Sequence, residues 1–155
     1  MASGFSLAAR LPTDVPRHLK ARSLAIALFV AASLLWGVAL AVLLQDIGFA
    51  LAPTAYAAVA SALVAAVLAP RLRQRAETKE EVAGGIFDGA GLMTGAYVLG
   101  VVLMAFHNGF LTAHSDFLGI TAVGLIMGAF LLPPALIFGG LAGLVFRTAV
   151  VRGAV

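Results

Sequence analysis

The chain has 155 residues, of which 62% are hydrophobic and only 11% are charged. An ordinary soluble domain carries about 25% charged residues, so this composition excludes a water-soluble globular protein. The length leaves room for one domain made mostly of membrane-spanning segments, without a separate catalytic module. Because it has no cysteine, the chain cannot form disulfides or thiolate metal sites. We therefore expect an integral membrane protein that is not an enzyme.

The N-terminal segment, residues 1–22, is basic and precedes the first apolar stretch. It contains three arginines and one lysine, interrupted by Pro12 and Pro16. We expect a partly ordered cytoplasmic segment whose bases meet anionic headgroups, with a short interfacial helix as the alternative. A basic leader is also typical of a signal peptide, but the apolar stretch that follows exceeds the usual length of about 7–15 residues. We therefore predict a retained anchor.

Four apolar stretches are long enough to cross a hydrocarbon core of about 30 Å, which needs about 20 helical residues. They predict a four-transmembrane-helix bundle in a domain of residues 23–147, with spans over residues 24–44, 49–69, 82–106 and 118–146. Residues 148–155 then form a short tail. The second span is expected to end before Pro70, with a solvated loop over residues 71–81. In that loop Thr78 and Glu81 match a capping box that would begin the third helix.

The bases are distributed asymmetrically outside the predicted spans. Four lie in the N-terminal segment, four in the loop between the second and third spans, and two in residues 147–155. The two remaining loops contain none. By the positive-inside rule this pattern predicts that both termini are cytoplasmic, and we expect the cytoplasmic (inner) membrane.

The third span contains six glycines and one carboxylate, Asp88. On a helical wheel two adjoining stripes lack bulky side chains: Gly84, Asp88, Gly91 and Gly95 on one, and Gly85, Gly89, Ala96 and Gly100 on the other. In lipid, faces of small residues let helices approach each other closely. We therefore expect this helix to lie at the centre of the bundle, with Gly84, Gly91 and Gly95 as packing residues.

The fourth span has 29 residues and contains Pro133 and Pro134. A straight helix of this length would measure about 44 Å, which exceeds the hydrocarbon core. Because prolines lack the amide hydrogen, the carbonyls of residues 129 and 130 lose their helical partners, and we predict a kink. GxxxG pairs for helix packing stand on both sides of this break: Gly124 with Gly128, and Gly139 with Gly143.

Asp88 is the strongest candidate for chemistry. A carboxylate inside a membrane span is energetically costly and often marks an ion or proton path. The alternative is a structural carboxylate that reaches water or pairs with a nearby base; the candidate bases are Arg71, Arg73 and Arg147.

Two histidines and an aspartate near the end of the third span form a weaker candidate site. His107, His114 and Asp116 have the donor atoms for a small metal site, although their spacing does not specify one. The alternative is that they are hydrogen-bonding groups at the membrane interface. The sequence specifies no cofactor.

The predicted helices carry many faces of small residues, and this number indicates assembly with further helices. Four short helices do not need so many for packing with one another, so we expect a structural or assembly subunit of an oligomeric transport or electron-transfer complex. Its partners would be the bilayer, further copies of the chain or other membrane subunits, and not nucleic acid. Phosphate-binding loops and hydrolase motifs are absent from the sequence. The alternative is a small ion- or proton-coupled transporter or channel that uses Asp88.

Overall fold

A computed structural model of the chain describes residues 17–78, 82–108 and 117–153. Within these ranges the protein consists of four helices and has no strand: α1 (Arg17–Leu44), α2 (Ile47–Thr78), α3 (Val82–Phe106) and α4 (Phe117–Val151). All four are long and apolar enough to cross a membrane. The predicted all-helical architecture, with four helices of membrane-spanning length and hydrophobicity, is therefore confirmed.

The helices alternate in direction. A tight turn at Gln45, which has the positive φ of 52°, joins α1 to α2, and the Asp46 carbonyl accepts a hydrogen bond from the Ala50 amide at 3.3 Å. Contacts between the end of α2 and the start of α3, and between the start of α3 and the end of α4, show the same alternation. We call the end at which α1 and α3 begin and α2 and α4 end the basic end.

The helices form a four-membered ring in chain order. α3 packs on α2 and α4, α1 packs on α2 and α4, and α2 and α4 also approach each other across the bundle. Small side chains, chiefly alanines, fill most of the core, with Phe29, Trp36 and Phe146 as its aromatic members. Large apolar side chains such as Val42, Phe87 and Leu118 point outward. An outer surface of this kind suits lipid as its solvent.

α2 is longer than the sequence predicted. It continues through Pro70 to Thr78, so the prediction of an end before Pro70 and a loop from residue 71 is wrong. The reason is that Leu72 and Ala76 continue the buried stripe of Ala69 at spacings of three and four residues, so helix here keeps burying apolar surface. Its 32 residues span about 48 Å, which exceeds the thickness of about 30 Å of a hydrocarbon core.

Thr78, the predicted cap of α3, lies within α2. It is the last residue of α2, and its hydroxyl donates to the Gln74 carbonyl at 2.9 Å, four residues earlier. The predicted partner, Glu81, lies outside the described residues.

α4 remains one helix across Pro133 and Pro134. Beside these prolines, the indole Nε1 of Trp36 donates a hydrogen bond to the Leu131 carbonyl at 3.0 Å. α1 therefore supplies a polar contact to the α4 backbone one residue after the two carbonyls, of residues 129 and 130, that the prolines leave without helical donors. The kink itself stays a prediction.

α3 and α4 cross closely at four glycines. A Cβ added to Gly89 would collide with the Gly139 carbonyl oxygen and would lie 2.8 Å from the Gly143 Cα. A Cβ on Gly143 would collide with the Gly85 carbonyl oxygen. The two backbones are therefore in direct contact, which only glycine permits.

Candidate functional site at the basic end

Asp88 lies in the second turn of α3, on the side that faces the end of α2. Its Oδ1 accepts a hydrogen bond from Nη1 of Arg75 at 2.6 Å, which makes an ion pair between the two helices. The Asp88 side chain is 19% exposed and that of Arg75 is 60% exposed. The pair exists because α2 continues as a helix beyond Pro70 and carries Arg75 to the start of α3. A structural pairing of Asp88 was expected with Arg71, Arg73 or Arg147, but Arg75 is its ion-pair partner here.

A second arginine, Arg147 on α4, borders the same small cavity as Asp88. It is only 7% exposed, although it is a charged residue near the end of a helix. Gly85 makes room for it, because a Cβ at that position would lie 3.0 Å from Cδ and 3.2 Å from Cβ of Arg147. The aliphatic part of Arg147 therefore packs over the glycine of α3, and the two helices enclose its stem.

Asp88 and Arg147 both border a small cavity. The cavity measures about 10 Å³, which is close to the space that one water molecule needs. Apolar residues from all four helices form the rest of its wall: Phe29, Leu72, Ala76, Gly85, Gly143 and Phe146. The side chains of Asp88 and Arg147 offer acceptor oxygens and donor N–H groups, which is the chemistry that holds a water molecule or a small ion. The cavity is far too small for an organic substrate.

The metal-site candidates are only partly within the described structure. His107 follows α3, is exposed, and its ring centroid lies 5.9 Å from that of Tyr56 on α2. His114 and Asp116 lie outside the described residues. Among the residues that are described, no group of three His, Asp or Glu side chains is arranged to hold a metal ion.

The predicted packing glycines fall into two classes. Gly139 and Gly143 lie in the close contact with α3. Gly124 lies against Val101, because a Cβ added to Gly124 would lie 2.7 Å from Cγ1 of Val101. Gly91 and Gly95 are exposed. No heavy atom of the described structure lies within 4 Å of a Cβ built on Gly91. The packing predicted for Gly91 is therefore not made within this part of the chain, whereas a Cβ built on Gly95 would lie 4.0 Å from Cγ1 of Val64 on α2.

The other two predicted packing glycines are Gly84 and Gly128. Gly84 is half-buried near the start of α3. Gly128 belongs to α4, but its surroundings lie outside the described part of the structure.

Several polar contacts inside the bundle were not predicted. Ser33 and Ser61 form a fully buried hydrogen bond between α1 and α2, next to the sulfur of Met93 on α3. The Tyr97 hydroxyl donates to the Gly124 carbonyl at 2.6 Å. The signal for the serines was present, because each stands among small residues at four-residue spacing. A pairing between them cannot be read from either helix alone.

Comparisons with protein-family models, with curated proteins and with solved structures find no match to this chain.

Proposed function

We propose that the protein is a non-enzymatic membrane subunit that assembles with further membrane-spanning helices through the exposed glycine face of α3. The observation that carries this proposal is the exposure of Gly91 and Gly95, one helical turn apart. Phe87 stands one turn before them and Val98 follows them, and both are exposed. Together these four residues form a shallow groove between two bulkier positions, which we call the α3 groove.

The α3 groove has the features of a helix-packing site in lipid. Apolar side chains gain little by leaving lipid for a protein interface, so association depends on close backbone approach and van der Waals contact. The same helix shows this mode of packing elsewhere, because Gly85 and Gly89 already bring its backbone against α4. A helix from a second copy, or from another subunit of a transport or electron-transfer complex, would fill the α3 groove in the same way.

The test is the mass of the protein purified in a mild detergent. We expect native mass spectrometry to show an oligomer or a complex with another membrane protein. Gly91→Leu should reduce it to the monomer while leaving the helical content unchanged, because no heavy atom of the described structure lies within 4 Å of a Cβ built at this position. Ala31→Leu is the matched control, since it adds a larger side chain at an exposed position of α1.

Two outcomes would overturn the proposal. The first is a wild-type protein that is monomeric and has no copurifying partner. The second is a Gly91→Leu variant that assembles as well as the Ala31→Leu control.

We also propose that the protein lies in the cytoplasmic membrane with the basic end in the cytoplasm. The support is the uneven distribution of bases, which places the ends of α2 and α4 on the positive side. Because the chain has no cysteine, single cysteines can report each side. Thr78→Cys should react with an impermeant maleimide only after the cells are opened, whereas Ile47→Cys should react in intact cells. The reverse pattern would contradict this orientation.

A second candidate function is ion- or proton-coupled transport through Asp88. The cavity shared by Asp88 and Arg147 favours it, because it brings a carboxylate and a water-sized space together at the basic end. In proteoliposomes, Asp88→Asn should then abolish coupled flux. Glu77→Gln, which removes another ion-paired carboxylate, should not. Equal flux in wild type and Asp88→Asn would leave Asp88 as a pairing group only.

A further inference from the structure

The basic end carries exposed cations that neither of these functions uses. Arg17, Lys20 and Arg22 stand on the first turns of α1, Arg71 stands on α2, and Arg152 follows α4, and all five are exposed. We call them the basic collar. None of them forms an ion pair with another residue of the described ranges.

The described carboxylates of this end already have partners. Glu77 accepts from Arg73 at 2.8 Å, and Asp88 accepts from Arg75 at 2.6 Å. Both acids are therefore matched by bases that lie outside the basic collar. Within the described residues, no acid is left to neutralise the collar.

The distances of two collar residues from the turn at Gln45, measured along the helices, match the headgroup layer of a bilayer. Arg22 stands 23 residues before the turn at Gln45, and Arg71 stands 24 residues after Ile47, so both lie about 35 Å from that turn. A hydrocarbon core is about 30 Å thick. If the turn lies at one surface of a bilayer, the two arginines therefore reach the phosphates of the other surface. At the turn's own end of the bundle, Asp46 is the one Asp, Glu, Lys or Arg within the described ranges.

An exposed leucine distinguishes a lipid from a soluble anion as the partner. Leu19 lies between the bases of α1 and is 43% exposed. An arginine or lysine places its apolar stem along hydrocarbon and its charge among phosphates, and a leucine beside it gains from the same apolar contact. A phospholipid offers both environments, whereas a dissolved phosphate offers only charge.

We propose that the basic collar binds anionic phospholipid headgroups and selects them over zwitterionic ones. Each base near an anionic membrane surface contributes about a fivefold gain in binding. The collar bases should therefore act together, and their effect should weaken as salt screens them.

The experiment is a lipid titration of the full chain, synthesised directly into detergent micelles so that membrane orientation plays no part. Native mass spectrometry then counts bound phosphatidylglycerol and phosphatidylcholine. We expect wild type to bind phosphatidylglycerol at least tenfold more tightly. The variant Arg17→Gln/Lys20→Gln/Arg22→Gln should lose most of that preference, and circular dichroism should show that it keeps its helices.

The matched control is Arg73→Gln/Glu77→Gln, which removes a base that is already paired and leaves the net charge unchanged. It should bind phosphatidylglycerol like wild type. Three results would overturn the proposal: equal affinity for the two lipids, an unchanged preference in the triple variant, or displacement of phosphatidylglycerol by an equal concentration of inorganic phosphate. The last would assign a site for soluble anions instead.

Discussion

The hydroxyl oxygens of Ser33 and Ser61 lie 2.5 Å apart between α1 and α2, and neither side chain is accessible at the surface. Ser33 also reaches the Phe29 carbonyl of its own helix at 3.0 Å. The Met93 sulfur of α3 lies 3.9 Å from one hydroxyl and 3.8 Å from the other. Three helices therefore meet at one small polar cluster in a mostly apolar core.

This geometry predicts unequal effects of removing the two hydroxyls. Ser33→Ala leaves Ser61 with only the weak sulfur acceptor, whereas Ser61→Ala leaves Ser33 with its Phe29 carbonyl. We expect Ser33→Ala to lower the free energy of unfolding by about 1 kcal/mol and Ser61→Ala by less. The measurement is unfolding in mixed detergent micelles, followed by Trp36 fluorescence. The double variant should cost less than the sum, and strict additivity would contradict a direct bond.

The crossing of α3 and α4 predicts a sharp contrast between two glycines of the same helix. Gly89→Leu places a side chain into the α4 backbone, and it should lower the free energy of unfolding by about 1–3 kcal/mol or prevent folding. Gly91→Leu, two residues away, meets open space and should leave the stability of the monomer nearly unchanged. Unfolding in detergent measures the free energy of unfolding of both variants. Equal losses of stability in the two variants would show that α3 and α4 do not cross at Gly89.

The ends of a helix were predictable where the composition of the chain changes abruptly. The predicted limits of α3, residues 82–106, coincide with the observed ones, since charged residues precede it and a polar segment follows it. α2 was predicted too short because Pro70 was interpreted as a terminus. A proline removes one backbone hydrogen bond, but the buried stripe through Leu72 and Ala76 outweighs that loss.

The contacts between helices were less predictable than the helices themselves. A wheel of α3 shows two stripes without bulk and does not distinguish them. α4 packs on Gly85 and Gly89 because its own Gly139 and Gly143 have the same four-residue spacing. Likewise, Arg75 could be assigned to Asp88 only once α2 was known to continue past Pro70. The stripe that packs on α4 and the base that pairs with Asp88 are both determined by a neighbouring helix. The periodicity of one helix does not specify its neighbour.

Trp36 should contribute to stability through its indole N–H. Trp36→Phe keeps an aromatic ring in the core and removes the hydrogen bond to the Leu131 carbonyl beside Pro133 and Pro134. We expect the free energy of unfolding to fall by about 1 kcal/mol, or more if the smaller ring leaves a cavity. Because the variant lacks the chain's one tryptophan, helical circular dichroism must follow unfolding. A variant as stable as wild type would show that the indole hydrogen bond to the Leu131 carbonyl adds nothing to stability.

The ion pair of Arg75 with Asp88 predicts a modest coupling that depends on salt. Arg75 is largely exposed, so solvent screens the pair, and such pairs usually contribute about 0.2–1 kcal/mol. A double-mutant cycle of Arg75→Gln and Asp88→Asn, measured by unfolding in detergent, should give a coupling energy in that range. It should shrink as sodium chloride rises from 0.05 to 0.5 M.

The single variants of this cycle should differ. Asp88 is the less exposed partner and borders the same cavity as Arg147, so Asp88→Asn removes a charge from the more enclosed side of the pair. Arg75→Gln removes the more exposed base, which water can replace. We therefore expect Asp88→Asn to lower the free energy of unfolding more than Arg75→Gln does. The opposite order would contradict this prediction, and a coupling energy that does not change with salt would contradict a solvent-screened ion pair between Arg75 and Asp88.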